Sequence, residues 1–180
     1  MTRPGDWIQT FTGGMFWPLD PRASEVVIED IAHSLAMSCR FRGHCRRFYS
    51  VAEHSVLVSR NVPPADALAA LLHDGAEAYL SDVPRPLKRF LPGFAAIEDR
   101  VEAAIAERFG LPHPMPASVK RVDTAILHDE ARFLLGPHPA DWSIPGEPLG
   151  LHESNFWCLP PDGAEQLFLI EFRRLTGSRA

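Results

Sequence analysis

The sequence predicts a mostly α-helical fold, a helical bundle carrying a short β-hairpin near its N-terminal end. Three observations support this. Apolar residues recur mainly at helical spacing, the periodic runs are bounded by start and stop residues, and the one stretch of strand-type residues surrounds a Gly-Gly pair. At 180 residues the chain has the size of one ordinary domain, long enough to bury a continuous core. The expected division is a hairpin and lead-in over 1–24, a helical core over 25–135, and an irregular segment with a C-terminal helix over 136–180.

The elements follow in order. Residues 8–19, IQTFTGGMFWPL, place strand formers on both sides of Gly13-Gly14, a pair suited to the positive φ angles of a tight hairpin turn. Pro18, Asp20 and Pro21 then interrupt regular structure, and EVVIEDIAHSLAMS has helical spacing over about 25–38. Ser50-Val51-Ala52-Glu53 is a capping-box pattern that should open a helix from Val51 to about Asn61, closed by Pro63-Pro64. ADALAALLHDGAEAYL reads as an alanine-rich, strongly apolar helix that would lie inside the fold if helical throughout. After the proline-punctuated SDVPRPLKRFLPG, FAAIEDRVEAAIAERFG is an amphipathic helix stopped by Gly110. PHPMP is a short rigid linker, a further helix covers about 117–135, and a Pro- and Gly-rich stretch over 136–159 precedes the last helix, DGAEQLFLIEFRRLTG. No internal repeat or low-complexity segment interrupts this order.

Composition excludes several classes. The chain is 46% hydrophobic and 23% charged, and no apolar run approaches the ~20 residues of a membrane span. MTRPGDWIQTF lacks the features of a secretory signal, so a cytoplasmic address is expected. A net charge of −5 argues against an extended nucleic-acid surface. A small anionic partner remains compatible, because RFRGHCRR over Arg40–Arg47 is locally basic, although such a stretch can equally be a solvated loop. Cys39, Cys45 and Cys158 form no CxxC pair and read as buried or inert thiols.

Burying a charge costs several kcal/mol unless a partner or a metal offsets it. That makes His73-Asp74, between ALAALL and GAEAYL, informative. Alone, such a dipeptide reads as a satisfied core histidine beside an aspartate. His54, however, shares a helical face with Val51 and Val58, and Asp123 falls among Val119, Val122 and Ile126. Two imidazoles and two carboxylates brought together from three apolar helices would suit one divalent ion.

These motifs resemble the HD-domain metal-dependent phosphohydrolases, in which H, HD and D stand on successive helices. SVAEHSVLVS is similar to the family's first-histidine helix, ALLHDGAEAYLSDVPRPLK to its HD helix and following turn, and KRVDTAI to its last-aspartate helix. The resemblance covers about residues 39–130 and is nearest to bacterial 5′-deoxynucleotidases and related phage-type hydrolases. It implies an HD-domain bundle in which His54, His73, Asp74 and Asp123 hold one divalent ion, drawn from manganese, cobalt, zinc, nickel, iron or magnesium. Glu77 and Asp82, four and nine residues after His73, match the acidic pair placed over water and substrate phosphate. Glu77 is the first choice for general acid–base work. Glu77 as an exposed helix residue and Asp82 as a cap before Val83-Pro84 are the plainer alternatives.

The nucleotidases also carry an Arg-Trp pair for phosphate and sugar. Arg40-Phe41, fourteen and thirteen residues before His54, lies in the corresponding place with Phe for Trp, and Lys88 is a weaker phosphate candidate. The partner implied is a small phosphorylated metabolite of nucleotide type, with no membrane or long nucleic acid, and the chain leaves room for a homodimer. His128-Asp129 repeats the HD dipeptide but is followed only by Asp141 and Asp162, neither suitably placed to close a site. Only His113 could add a ligand for a second ion between the HD pair and Asp123, so one metal is expected. The expected activity is a 5′-nucleotidase-like phosphohydrolase. A deoxynucleoside triphosphate triphosphohydrolase and a non-catalytic nucleotide-sensing or partner-binding module are the alternatives.

Overall fold

A computed structural model of the chain describes residues 3–140 and 144–177, so Asp141 lies outside the described residues. It shows a mostly helical fold with a two-stranded hairpin. Strands β1 (Ile8–Gln9) and β2 (Met15–Phe16) pair antiparallel, Ile8 opposite Phe16. The connection is wider than a two-residue turn. Thr10 N–H donates to the Gly14 carbonyl at 3.0 Å, and Gly13 has the positive φ (+87°) while Gly14 does not. Asp30 holds the loop by accepting from Thr12 N and Oγ1 at 2.7 and 3.1 Å, and Phe16 stacks on Tyr79 at 3.8 Å.

The first helix begins later than its periodicity predicts. Ala23–Glu25 form a 3-10 turn, Val26 and Val27 are extended, and α1 spans Ile28–Met37. Adjacent β-branched residues favour extended backbone, which accounts for the delay. Helix α2 (Val51–Asn61) has the predicted bounds, but only half of the predicted capping box. Ser50 Oγ accepts from Glu53 N at 3.0 Å, whereas the Glu53 carboxylate reaches across to accept from the Cys158 and Leu159 amides at 3.0 and 2.9 Å.

The predicted alanine-rich helix is broken. Helix α3 covers Ala67–Leu71, residues 72–76 form a tight turn, and α4 covers Glu77–Leu80. Amides bond three residues back there, Gly75 to Leu72 and Glu77 to Asp74. Gly75 suits the close packing of this turn: a Cβ there would meet the Leu72 carbonyl at 3.0 Å and Ile105 at 3.2 Å. Helix α5 is the single turn Arg85–Lys88. Helix α6 (Phe94–Phe109) ends at left-handed Gly110, as predicted. Helix α7 spans Ala117–Leu134, and α8 (Pro161–Thr176) follows a largely irregular segment with one 3-10 turn at Glu153–Asn155.

Helix α2 is the central element, packed against α1, α3, α7 and α8 and buried from Val51 to Ser59. It contributes to both apolar clusters, one around Ile31, Val56, Leu71 and Phe168, the other around Tyr49, Val58, Ile126 and Phe156. Any polar side chain pointing inward from α2 therefore meets its partners inside the protein. Among the described residues no helix is long and apolar enough to cross a membrane.

Candidate metal centre

His54 projects from α2 with no solvent exposure, and Asp123 comes from α7. His73 and Asp74 come from the turn between α3 and α4, so the four candidate ligands rest on two helices and a helix break, not on three helices. The break has a geometric consequence. Successive residues of a helix diverge by roughly 100°, yet here both side chains face the same point.

Each histidine has its tautomer assigned by an obligate acceptor. His54 Nδ1 lies 2.6 Å from Glu130 Oε1, and His73 Nδ1 lies 2.8 Å from the Ala70 carbonyl. Both Nδ1 atoms thus donate, which leaves the lone pairs on Nε2. Those two Nε2 atoms face each other at 3.3 Å. Asp123 Oδ1 is 3.3 Å from His54 Nε2 and 3.8 Å from His73 Nε2. Asp74 Oδ1 is 3.3 Å from His73 Nε2, and its Oδ2 is 3.8 Å from His54 Nε2. Two lone pairs in contact call for a positive charge between them, supplied by a proton on His73 in the metal-free protein or by a metal ion. Ligands bound to one tetrahedral ion at 2.0–2.1 Å stand roughly 3.3 Å apart, so the spacing fits a metal. His54, His73 and Asp123 form a group that could hold an ion, with ligand atoms all within 4.8 Å of one another.

Electrostatics agree with that demand. Burial works against charging His73, but Asp74 and Asp123 outweigh it and lift its pKa to about 9. Burial would raise Asp123, but its contacts with the His54 and His73 rings hold it well below the usual carboxylate range. Glu77 behaves oppositely: burial first, then the Asp74 and Asp82 carboxylates, push it up to about 9. It is half-buried in the first turn of α4, not an exposed helix residue. Asp82 follows Ser81, whose φ is +69°, and its backbone carbonyl accepts from Arg42 at 2.9 Å.

The basic loop sits beside this group. Arg40 Nη2 donates to Glu130 Oε2 at 3.0 Å, and Nη1 lies 3.5 Å from Asp74 Oδ2. Its buried Nε has no protein partner among the described residues. Burial disfavours its charge, but Glu130 and Asp74 more than compensate and raise its pKa. Phe41, Arg42 and Gly43 all have positive φ (+53°, +54° and +80°), and the Phe41 ring lies 5.6 Å from the Arg40 guanidinium. Lys88 is engaged by Glu98 at 2.5 Å. The cysteines are half-buried free thiols, with Cys39 and Cys45 sulfurs 3.7 Å apart and Cys45 pushed up to about 12 by burial and by its contact with Cys39.

YfdR of Escherichia coli (strain K12), described as an uncharacterized protein, is 42% identical over 173 residues, 96% of this chain and 97% of YfdR. The chain belongs to the YfdR family. An uncharacterized protein of Rhodobacter capsulatus is 39% identical over 144 residues, covering 72% of this chain and 74% of that protein. No protein-family model matches the chain.

In this YfdR-family chain, sequence reasoning missed Glu130 and Tyr49. Glu130 is fully buried and accepts from His54, Arg40 and the Tyr49 hydroxyl. A signal was present: Glu130 is seven residues after Asp123 and four after Ile126, on the apolar face of α7. His113, the one candidate for an additional ligand, instead groups with Asp99 and Glu102. The repeated dipeptide also lies apart. Asp129 accepts from Gly150 N at 3.1 Å, and His128 Nε2 is buried without a hydrogen-bond partner among the described residues.

Proposed function

We propose that this chain is a metal-dependent phosphohydrolase of the HD type that removes phosphate from deoxynucleoside 5′-monophosphates or closely similar nucleotides. The observation that carries the reading is the pair of Nε2 lone pairs at 3.3 Å, each fixed by a donating Nδ1 and flanked by Asp74 and Asp123. His54, His73, Asp74 and Asp123 would hold a single divalent ion, of which manganese, cobalt, zinc, nickel, iron and magnesium all accept nitrogen or oxygen donors. Such an ion, when bound, supplies positive charge to a phosphate ester and lowers the pKa of water.

The remaining steps belong to side chains. Arg40, with its Nε uncommitted, meets a phosphate oxygen, and Phe41 packs on the sugar. Water attacks phosphorus and the P–O ester bond breaks; the leaving 5′-oxygen takes a proton, and the proton lost by the attacking water restores the donor. Glu77, with its pKa raised to about 9, holds that proton at neutral pH. Burial and the Asp74 charge are the main causes of that raised pKa, and the neighbouring Asp82 carboxylate adds to them. The cytoplasm, with its nucleotide pool, is the setting this reading implies.

The test is phosphate release from deoxynucleoside 5′-monophosphates with each of the six metals, in wild type and Asp74→Ala. The reading requires metal-dependent inorganic phosphate from the first and none above background from the second. Tripolyphosphate released from a deoxynucleoside triphosphate would redirect it to a triphosphohydrolase. Stoichiometric nucleotide binding with no product under any metal would make the chain a sensing module.

A further inference from the structure

Helix α7 places a second carboxylate two turns beyond Asp123. Glu130 is 0% exposed, and its oxygens are divided between two tasks. Oε1 accepts from His54 Nδ1 at 2.6 Å and from the Tyr49 hydroxyl at 2.9 Å, while Oε2 accepts from Arg40 Nη2 at 3.0 Å. Arg40 in turn extends Nη1 to 3.5 Å from Asp74 Oδ2. One buried carboxylate is thus tied to both sides of the ligand group, to His54 directly and to Asp74 through Arg40.

Packing alone does not require this. Replacing a buried charged network by apolar residues is often neutral or stabilising, so stability alone does not account for the presence of this one. Histidine ligands depend on an acceptor at the distal nitrogen to fix ring orientation and tautomer. We infer that Glu130 is the positioning residue of the metal centre, holding His54 with Nε2 free to bind and setting Arg40 against Asp74. This rests on the metal reading of the site. It adds that the competence of His54 and the placement of Arg40 are set by one side chain outside the ligand set.

Glutamine keeps the size of Glu130 but has one acceptor and one donor end. If its amide nitrogen faces His54, the ring must move its proton to Nε2 and lose the lone pair needed for metal. If the amide nitrogen faces Arg40, the link to Asp74 is lost. The experiment compares wild type, Glu130→Gln and Asp129→Asn, the last replacing the neighbouring buried carboxylate of α7 that accepts from Gly150. Cobalt titrations read by visible absorption give affinity, and ¹⁵N spectra of the ring nitrogens in metal-free protein give the His54 tautomer.

Glu130→Gln should bind cobalt about 10- to 100-fold more weakly, with an altered absorption band and a mixed or Nε2-protonated His54. Asp129→Asn should match wild type in both readouts even if it melts earlier. A folded Glu130→Gln protein with wild-type cobalt affinity and tautomer would overturn the inference while leaving the metal reading intact. A wild-type protein that binds no cobalt or zinc would overturn the metal reading itself. Should Glu130→Gln not fold, the wild-type ¹⁵N spectrum decides. His54 protonated at Nδ1 in the metal-free protein, with zinc then bound through Nε2, supports the assignment, and the opposite tautomer or Nδ1 coordination defeats it.

Discussion

His73-Asp74 and His128-Asp129 are the same two residues in the same order, yet they occupy opposite kinds of site. The first pair lies on the turn over residues 72–76, where both side chains reach His54 and are joined by Asp123. The second lies within the unbroken helix α7, where consecutive side chains diverge. There Asp129 serves a loop amide, and His128 keeps a buried nitrogen unpaired among the described residues. Chemistry at a dipeptide depends on the backbone that aims it. The turn over 72–76, where Gly75 packs closely against Ile105, is what separates the first pair from the second.

Breaking the first pair should have the largest effect. His73→Ala or Asp74→Ala should abolish stoichiometric binding of a divalent ion, whereas His128→Ala should retain about one ion per chain, as read by elemental analysis after dialysis. Loss of metal in His128→Ala with retention in both of the others would reverse the comparison.

Glu77 separates binding from turnover within the same region. Glu77→Gln should keep its metal but lower kcat by on the order of 10²-fold or more. A change confined to KM would make Glu77 a substrate-positioning group instead.

The proton on His73 gives a graded test. Because its pKa is lifted to about 9 in metal-free protein, a metal must displace a proton below that pH. Affinity should climb as pH rises and level off above about 9. A raised folded pKa also means that the stabilisation is fully present below the unfolded value of ~6.5 and is lost as pH rises through the folded one. Melting temperatures of metal-free protein should therefore fall across that window, while a zinc-loaded sample should hold steady.

The smallest expected effect lies at the second pair. Asp129→Ala removes the acceptor for Gly150 N and should cost about 1–3 kcal/mol in denaturant unfolding. Metal content should be unaffected, so any loss of ion there would mean the two regions are coupled.

The same contrast explains what could be read in the sequence. Helices α2, α6 and α7 were legible because local residues bound them, Ser50 before α2, Gly110 after α6 and the proline-rich linker before α7. All four proposed ligands could be named from apolar context and resemblance. The break over 72–76 could not, since alanine and leucine continue on both sides and the contact with Ile105 is long-range. Glu53 shows the same limit: its spacing from Ser50 suits a capping box, but its carboxylate is taken by amides more than a hundred residues away in sequence. Glu130 stood on an apolar face in plain view, but nothing local says that its neighbours are His54 and Arg40.

The central claim is that one ion sits where the two Nε2 atoms meet. Anomalous scattering from crystals grown or soaked with manganese, cobalt or zinc tests it directly. The account predicts a single strong peak within bonding distance of His54 Nε2, His73 Nε2 and Asp123, with Asp74 as the fourth protein ligand. A fully occupied peak only at Asp99, Glu102 and His113, or none at the His54–His73 contact at saturating metal, would contradict it.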